Sequence, residues 1–143
     1  MANTTYLKNE VEQWVRNWLA PQFSNQSFTK ENLELVTGGK HEFDAVSGDK
    51  SIVAGIKGNS FKTKGGNIPS GKIAELYQEL YFLLLVKASR KFLILINEEL
   101  YKYFTNSSRG KIANEIEIKL CKLPAEMREK VKNIQIQASE EQK

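Results

Sequence analysis

An α/β protein with a single mixed β-sheet flanked by helices is predicted from three features of the 143-residue sequence. An opening segment with apolar residues at helical spacing precedes three short strand-like runs, and a strongly apolar helical segment then leads into a continuous apolar strand. The helix between strands three and four makes a crossover, so strand four should run parallel to a strand of the preceding meander. With 41% hydrophobic residues the chain has the material for one core, since domains of ~100–150 residues are the usual size. Residues 1–137 are read as that domain and 138–143, "ASEEQK", as a polar tail.

The elements follow in order. Leu7, Val11, Trp14, Val15, Trp18 and Leu19 recur at helical spacing, Thr4 or Thr5 is placed to cap the start, and Pro21 closes the segment. "QFSNQSFTKEN" reads as an irregular connection, and "LELV", Leu33 to Val36, as a short strand stopped by Thr37-Gly38-Gly39. "HEFDAV" and "SIVAGIKG" are the next two strands, joined by the turn formers "SGDK". Ser70 caps a helix whose Ile73, Leu76, Tyr77, Leu80, Tyr81, Leu84 and Leu85 form one broad apolar face, expected to be buried. "KFLILIN" is a strand covered on both faces, "EELYKYF" a short helix, "IEIKL" an alternating strand, and Pro124 opens a last helix through Met127, Val131 and Ile134.

Composition narrows the setting. No apolar run approaches the roughly 20 residues of a bilayer span, and the start lacks a secretory layout, so a cytoplasmic protein without membrane attachment is expected. The single cysteine, Cys121, has no partner for a disulfide and is read as a small core or flank residue. The segment Lys57–Lys72, "KGNSFKTKGGNIPSGK", holds Lys57, Lys62, Lys64 and Lys72 with no acid, and accounts for the whole excess of 21 basic over 17 acidic residues. A glycine-rich loop of that charge suits a polyanion, because the backbone approaches closely while ammonium groups neutralise phosphates.

At "EFDAV" and "GIKG" the sequence resembles the PD-(D/E)XK nuclease superfamily, with Asp44 in the first acidic position and Lys57 in the lysine position of an αβββαβ core. The resemblance implies a restriction-endonuclease-like fold and a metal-dependent DNA endonuclease of restriction, homing or junction-resolving type. It also implies Mg2+ or Mn2+ held by Asp44, by the Ile56 carbonyl and by a first-helix glutamate. Glu10 and Glu12 both flank the helix-one face, and the resemblance favours Glu10. Hard cations prefer such oxygen ligands, and a lysine beside them positions an attacking water or stabilises phosphate charge. In a tight hairpin centred on Gly48-Asp49, Asp44 is expected opposite Val53 and diagonal to Gly55.

Gly55 departs from the superfamily pattern, which carries an acid or glutamine there. Three readings follow: the missing ligand comes from elsewhere, either Glu42 or the next helix with Glu75, Gln78 and Glu79; the protein is a catalytically silent DNA-binding module; or the glycine replaces a natural acid. The expected DNA contacts, to double-stranded or branched DNA, are Asn59, Ser60, Lys62, Thr63, Lys64, Asn67 and Lys72. Cleaving both strands requires two active sites, so a homodimer or higher homo-oligomer is expected. "GNIPSGKI" has phosphate-loop spacing but ends in Ile73 where a Ser or Thr would hold magnesium, and His41, the sole histidine, has no nucleophile motif beside it, so it is read as a strand-edge residue or a nucleic-acid contact.

Overall fold

In the computed structural model of the chain, residues 4–58 and 70–132 are described. Helix α1 (Thr4–Leu19) turns Leu7, Val11, Val15 and Leu19 into the core and continues as a 3-10 turn, Ala20–Phe23, with Pro21 near its start. Strands β1 (Phe28–Glu34), β2 (Lys40–Ser47) and β3 (Ile52–Lys57) form an antiparallel meander. Helix α2 (Ser70–Leu85) crosses to β4 (Arg90–Leu95), which lies parallel to β3, and helix α3 (Glu98–Ser107) crosses to β5 (Ile116–Leu120), parallel to β4. The sheet order is β1-β2-β3-β4-β5. Residues 125–132 are helical.

The mixed sheet divides the core into two layers. On one face α1 packs with Phe28, Ala45, Ala54, Ile56, Phe92, Ile94, Cys121 and Met127; on the other, α2 and α3 pack with Phe43, Val46, Val53, Leu93, Leu95, Leu100 and Phe104. β3 and β4 are buried on both sides because both layers cover them, which is why they read as continuous apolar runs. Each fully buried side chain such as Phe43, Phe92 or Phe104 contributes about 1.5–3 kcal/mol of transfer free energy.

Two expectations change. β1 starts at Phe28, within the stretch read as irregular, and its pairing runs from Phe28↔Ser47 to Glu34↔Lys40. The polar run Thr29-Lys30-Glu31-Asn32 belongs to an edge strand, whose solvent-facing side needs no apolar residues. Helix α2 buries Leu76, Glu79, Leu80 and Leu83, leaving Tyr77, Tyr81 and Leu84 at 37, 56 and 42% exposure. An acid turned inward rotates the aromatic part of the apolar face towards solvent.

The β2–β3 turn is locked by Asp49. Its Oδ1 accepts from Ser51 Oγ at 2.7 Å, Ser47 Oγ at 2.8 Å and Ser51 N at 2.9 Å. These bonds, the Ser51 hydroxyl first, hold the carboxyl well below its usual 3.8, at about 2. A lowered folded-state value means stability present above pH 3.8 and lost as the pH falls towards about 2. Thermal unfolding of wild type and Asp49→Ala should therefore differ at neutral pH and converge in acid; a gap that persists to the lowest pH would remove the carboxylate from that role.

Candidate active site

The site forms where β2 and β3 part. On β1 two steps, Thr29 to Glu31, face three on β2, Val46 to Phe43, so an extra residue is accommodated at Asp44-Ala45. Such a bulge re-aims the side chains around it. Phe43 and Val46 both point to the α2 layer while Ala45 points to α1. The β2–β3 pairs Val46↔Val53 and Ala45↔Ala54 set Asp44 beside Gly55 and Ile56, two residues further along than the expected Val53. Asp44 Oδ2 accepts the Ile56 N–H at 2.8 Å, so a side chain takes over from the ladder as the strands separate.

Gly55 faces α2, and Glu79 occupies the room its missing side chain leaves. A Cβ on Gly55 would lie 2.6 Å from Glu79 Cγ and 2.9 Å from its Oε2. Glu79 is 5% exposed, and its Oε1 lies 3.3 Å from His41 Nε2 and 3.9 Å from Lys57 Nζ. His41 is fixed by stacking on Phe82, with ring centroids 3.9 Å apart and planes at 9°. Burial pushes the Glu79 carboxyl above its ordinary value; Lys57 and His41 pull against this, and the charge of Asp44 adds to it. Glu79 thus joins Lys57 and Asp44 in one electrostatic cluster.

Glu79 Oε2 is buried with no hydrogen-bond partner, the one such side-chain atom among the described residues. Leaving a polar atom so costs about 1–3 kcal/mol. An orphaned carboxylate oxygen within the electrostatic reach of a second carboxylate, Asp44, suits a hard cation. Among the described residues no group of three His, Cys, Asp or Glu side chains forms a protein-only cage. Magnesium does not require one: it is commonly held by one or two carboxylates, with waters and substrate oxygens completing its shell. Asp44 and Glu79 fit that pattern.

The first-helix carboxylate that reaches this region is Glu12. Glu10 instead pairs with Lys130 at 3.6 Å, away from the cleft. Glu12 is buried, with Oε1 3.0 Å from Lys30 Nζ and 3.3 Å from Arg16 Nη2, and Arg16 Nε donates to the Asp44 carbonyl at 2.8 Å. Burial lowers the Lys30 ammonium pKa, but its hydrogen bond and charge interaction with Glu12 outweigh that and raise it. Glu12 therefore braces the backbone that carries Asp44. It also lines, with Ile56, Lys57, Gly58, Lys72 and Glu75, a cleft of about 170 Å³ between α1 and α2.

The other expected residues fall as follows. Lys72 and Glu75 line the cleft, whereas Glu42 and Gln78 are exposed and make no contact with Glu79 or Asp44 among the interactions described. Asn59, Ser60, Lys62, Thr63, Lys64 and Asn67 lie outside the described residues. Gly58, with φ of 103°, turns the chain out of β3 in a conformation that favours glycine. His41 holds the buried glutamate, a role its strand-edge reading missed. Glu79 had a signal in the sequence: an acid in the Leu76, Leu80, Leu83 row of an apolar helix is costly unless it is used.

No family model, curated protein or solved structure matches this chain.

Proposed function

We propose that this protein is a metal-dependent DNA endonuclease of the PD-(D/E)XK type in which the second acidic ligand comes from α2. The observation that carries this reading is Glu79 filling the space above Gly55 with an unpartnered carboxylate oxygen, 3.9 Å from Lys57 and in the field of Asp44. It supports the first of the three readings of the glycine, a ligand supplied from elsewhere. When bound, Mg2+ or Mn2+ would neutralise phosphate charge and lower the pKa of an attacking water.

The residues of the chain have distinct parts. Asp44 and Glu79 would hold the cation with the Ile56 carbonyl, and His41 fixes Glu79 through Oε1, leaving Oε2 for that purpose. Lys57, with its side chain 35% exposed at the cleft, reaches the substrate phosphate or its water while staying in the field of Glu79. Lys72 and the basic segment before it draw in the DNA backbone. A homodimer or higher homo-oligomer belongs to the same proposal, since two strands need two sites.

Supercoiled plasmid incubated with Mg2+ or Mn2+ tests it. Wild type should nick the plasmid and EDTA should stop it, while Lys57→Ala should be slower by roughly 10²–10⁴-fold, the range for removing a general acid–base or charge-stabilising group. Wild type that retards DNA in a gel and never cuts it with either metal would instead make this a binding module.

A further inference from the structure

Beside the cleft at Lys57 a second, larger cavity lies across the carboxyl ends of the parallel strands. That cavity, about 460 Å³, lies between the start of α3 and the 125–132 helix, and Ile96 after β4 lines both spaces. Its floor is apolar, with Ile96, Leu120, Leu123 and Val131, and its walls carry Lys122, Arg128 and Lys132 against Glu98 and Glu99. The two signs are not equally available. Glu98 is engaged by Lys122 at 3.5 Å and Lys102 at 3.9 Å, and Glu99 also has a partner. Arg128 and Lys132 form no ion pair with any described residue, and neither do Lys8 and Lys72 at the other end.

Among the described residues the groove therefore presents cations without ion-pair partners at both ends, while Glu98 and Glu12 are ion-paired and Glu75, at the Lys57 end, is not. We infer that it is a track for a nucleic-acid strand, running from the Asp44–Glu79–Lys57 cluster across β4 and β5 to phosphate contacts at Arg128 and Lys132. The inference rests on the nuclease reading and adds a second binding region to it. From β3 to β5 are two strand spacings, roughly 10 Å, which is about three nucleotides at the ~3.4 Å rise of one DNA strand. Arg128 and Lys132 would then grip the backbone a few nucleotides from the bond that is cut, and the apolar floor would face sugars. A nucleic acid is favoured over an acidic peptide because the second cavity adjoins, through Ile96, a site suited to phosphate.

Fluorescence anisotropy of a labelled DNA duplex with full-length protein in Ca2+ reads binding without requiring cleavage. Arg128→Ala/Lys132→Ala should weaken binding roughly tenfold or more at moderate salt and reduce the slope of log K against log salt by about 2, one for each phosphate no longer neutralised. Lys50→Ala, at the hairpin tip on the opposite end of the sheet, should leave both unchanged. Tight wild-type binding with an unaltered double variant would overturn the track while leaving the nuclease reading intact, because that reading is decided separately by plasmid nicking. Polyglutamate competing as well as DNA, with the same dependence on Arg128 and Lys132, would overturn the assignment to nucleic acid.

Discussion

Glu79→Gln is expected to abolish metal-dependent cleavage and at the same time make the protein more stable at neutral pH. The loss should exceed the 10–100-fold typical of removing a partner that only orients a ligand, because the amide keeps the shape and removes the charge offered to the cation. The gain follows from burial. The Glu79 carboxyl titrates above its ordinary value of 4.5, chiefly through desolvation. A raised folded-state value means that the folded protein holds the proton more tightly than the unfolded chain does. Its contribution is therefore fully present below pH 4.5 and is lost as the pH rises through the folded value. At neutral pH the ionised group carries a desolvation penalty that the neutral amide of glutamine does not, although the amide still leaves one polar atom unpartnered. Thermal unfolding should show the variant ahead at neutral pH and level with wild type in acid, while plasmid nicking reads the activity. A fully active Glu79→Gln would remove the glutamate from the site.

Moving the carboxylate from the helix to the strand gives the second large effect. In Gly55→Ala the added Cβ enters space held by Glu79 Cγ, Cδ and Oε2, all within 2.9 Å. The flexible side chain gives way there, and the backbone does not have to. Stability should change little, and cleavage should drop on the order of 10–100-fold as Glu79 is pushed out of position. Gly55→Asp alone sets two carboxylates in one space and should be inactive, whereas Gly55→Asp with Glu79→Ala clears the space and should recover activity. That recovery is a coupling between neighbours of the kind a double-mutant cycle isolates. A double variant no better than either single change would mean that the two positions do not substitute for one another.

The periodic segments were readable directly. Leu7, Val11, Val15 and Leu19 announced α1, and the unbroken runs at Ile52–Ile56 and Phe92–Leu95 announced strands covered on two faces. Most of β1 was missed because an edge strand facing solvent carries no apolar alternation at Thr29–Asn32. Glu10 and Glu12 could not be separated by periodicity, since the choice depends on where Lys30 and Lys130 lie, and both are remote along the chain. The register of the hairpin was also out of reach, because the pairs Val46↔Val53 and Ala45↔Ala54 centre the turn on Asp49-Lys50, with Lys50 at a φ of 63°, and not on the expected Gly48-Asp49.

By itself, then, the sequence determined the order of elements, the parallel crossover and the candidate pair Asp44 and Lys57, since each depends on local pattern or on chain connectivity. Only the tertiary structure decided that Glu79 stands in the space over Gly55, that His41 braces it, and that Glu12 supports Asp44 through Arg16. Those interactions join residues many positions apart. Which side chain fills a gap is set by how α2 is rotated on the sheet, and that rotation is settled by packing across the whole layer.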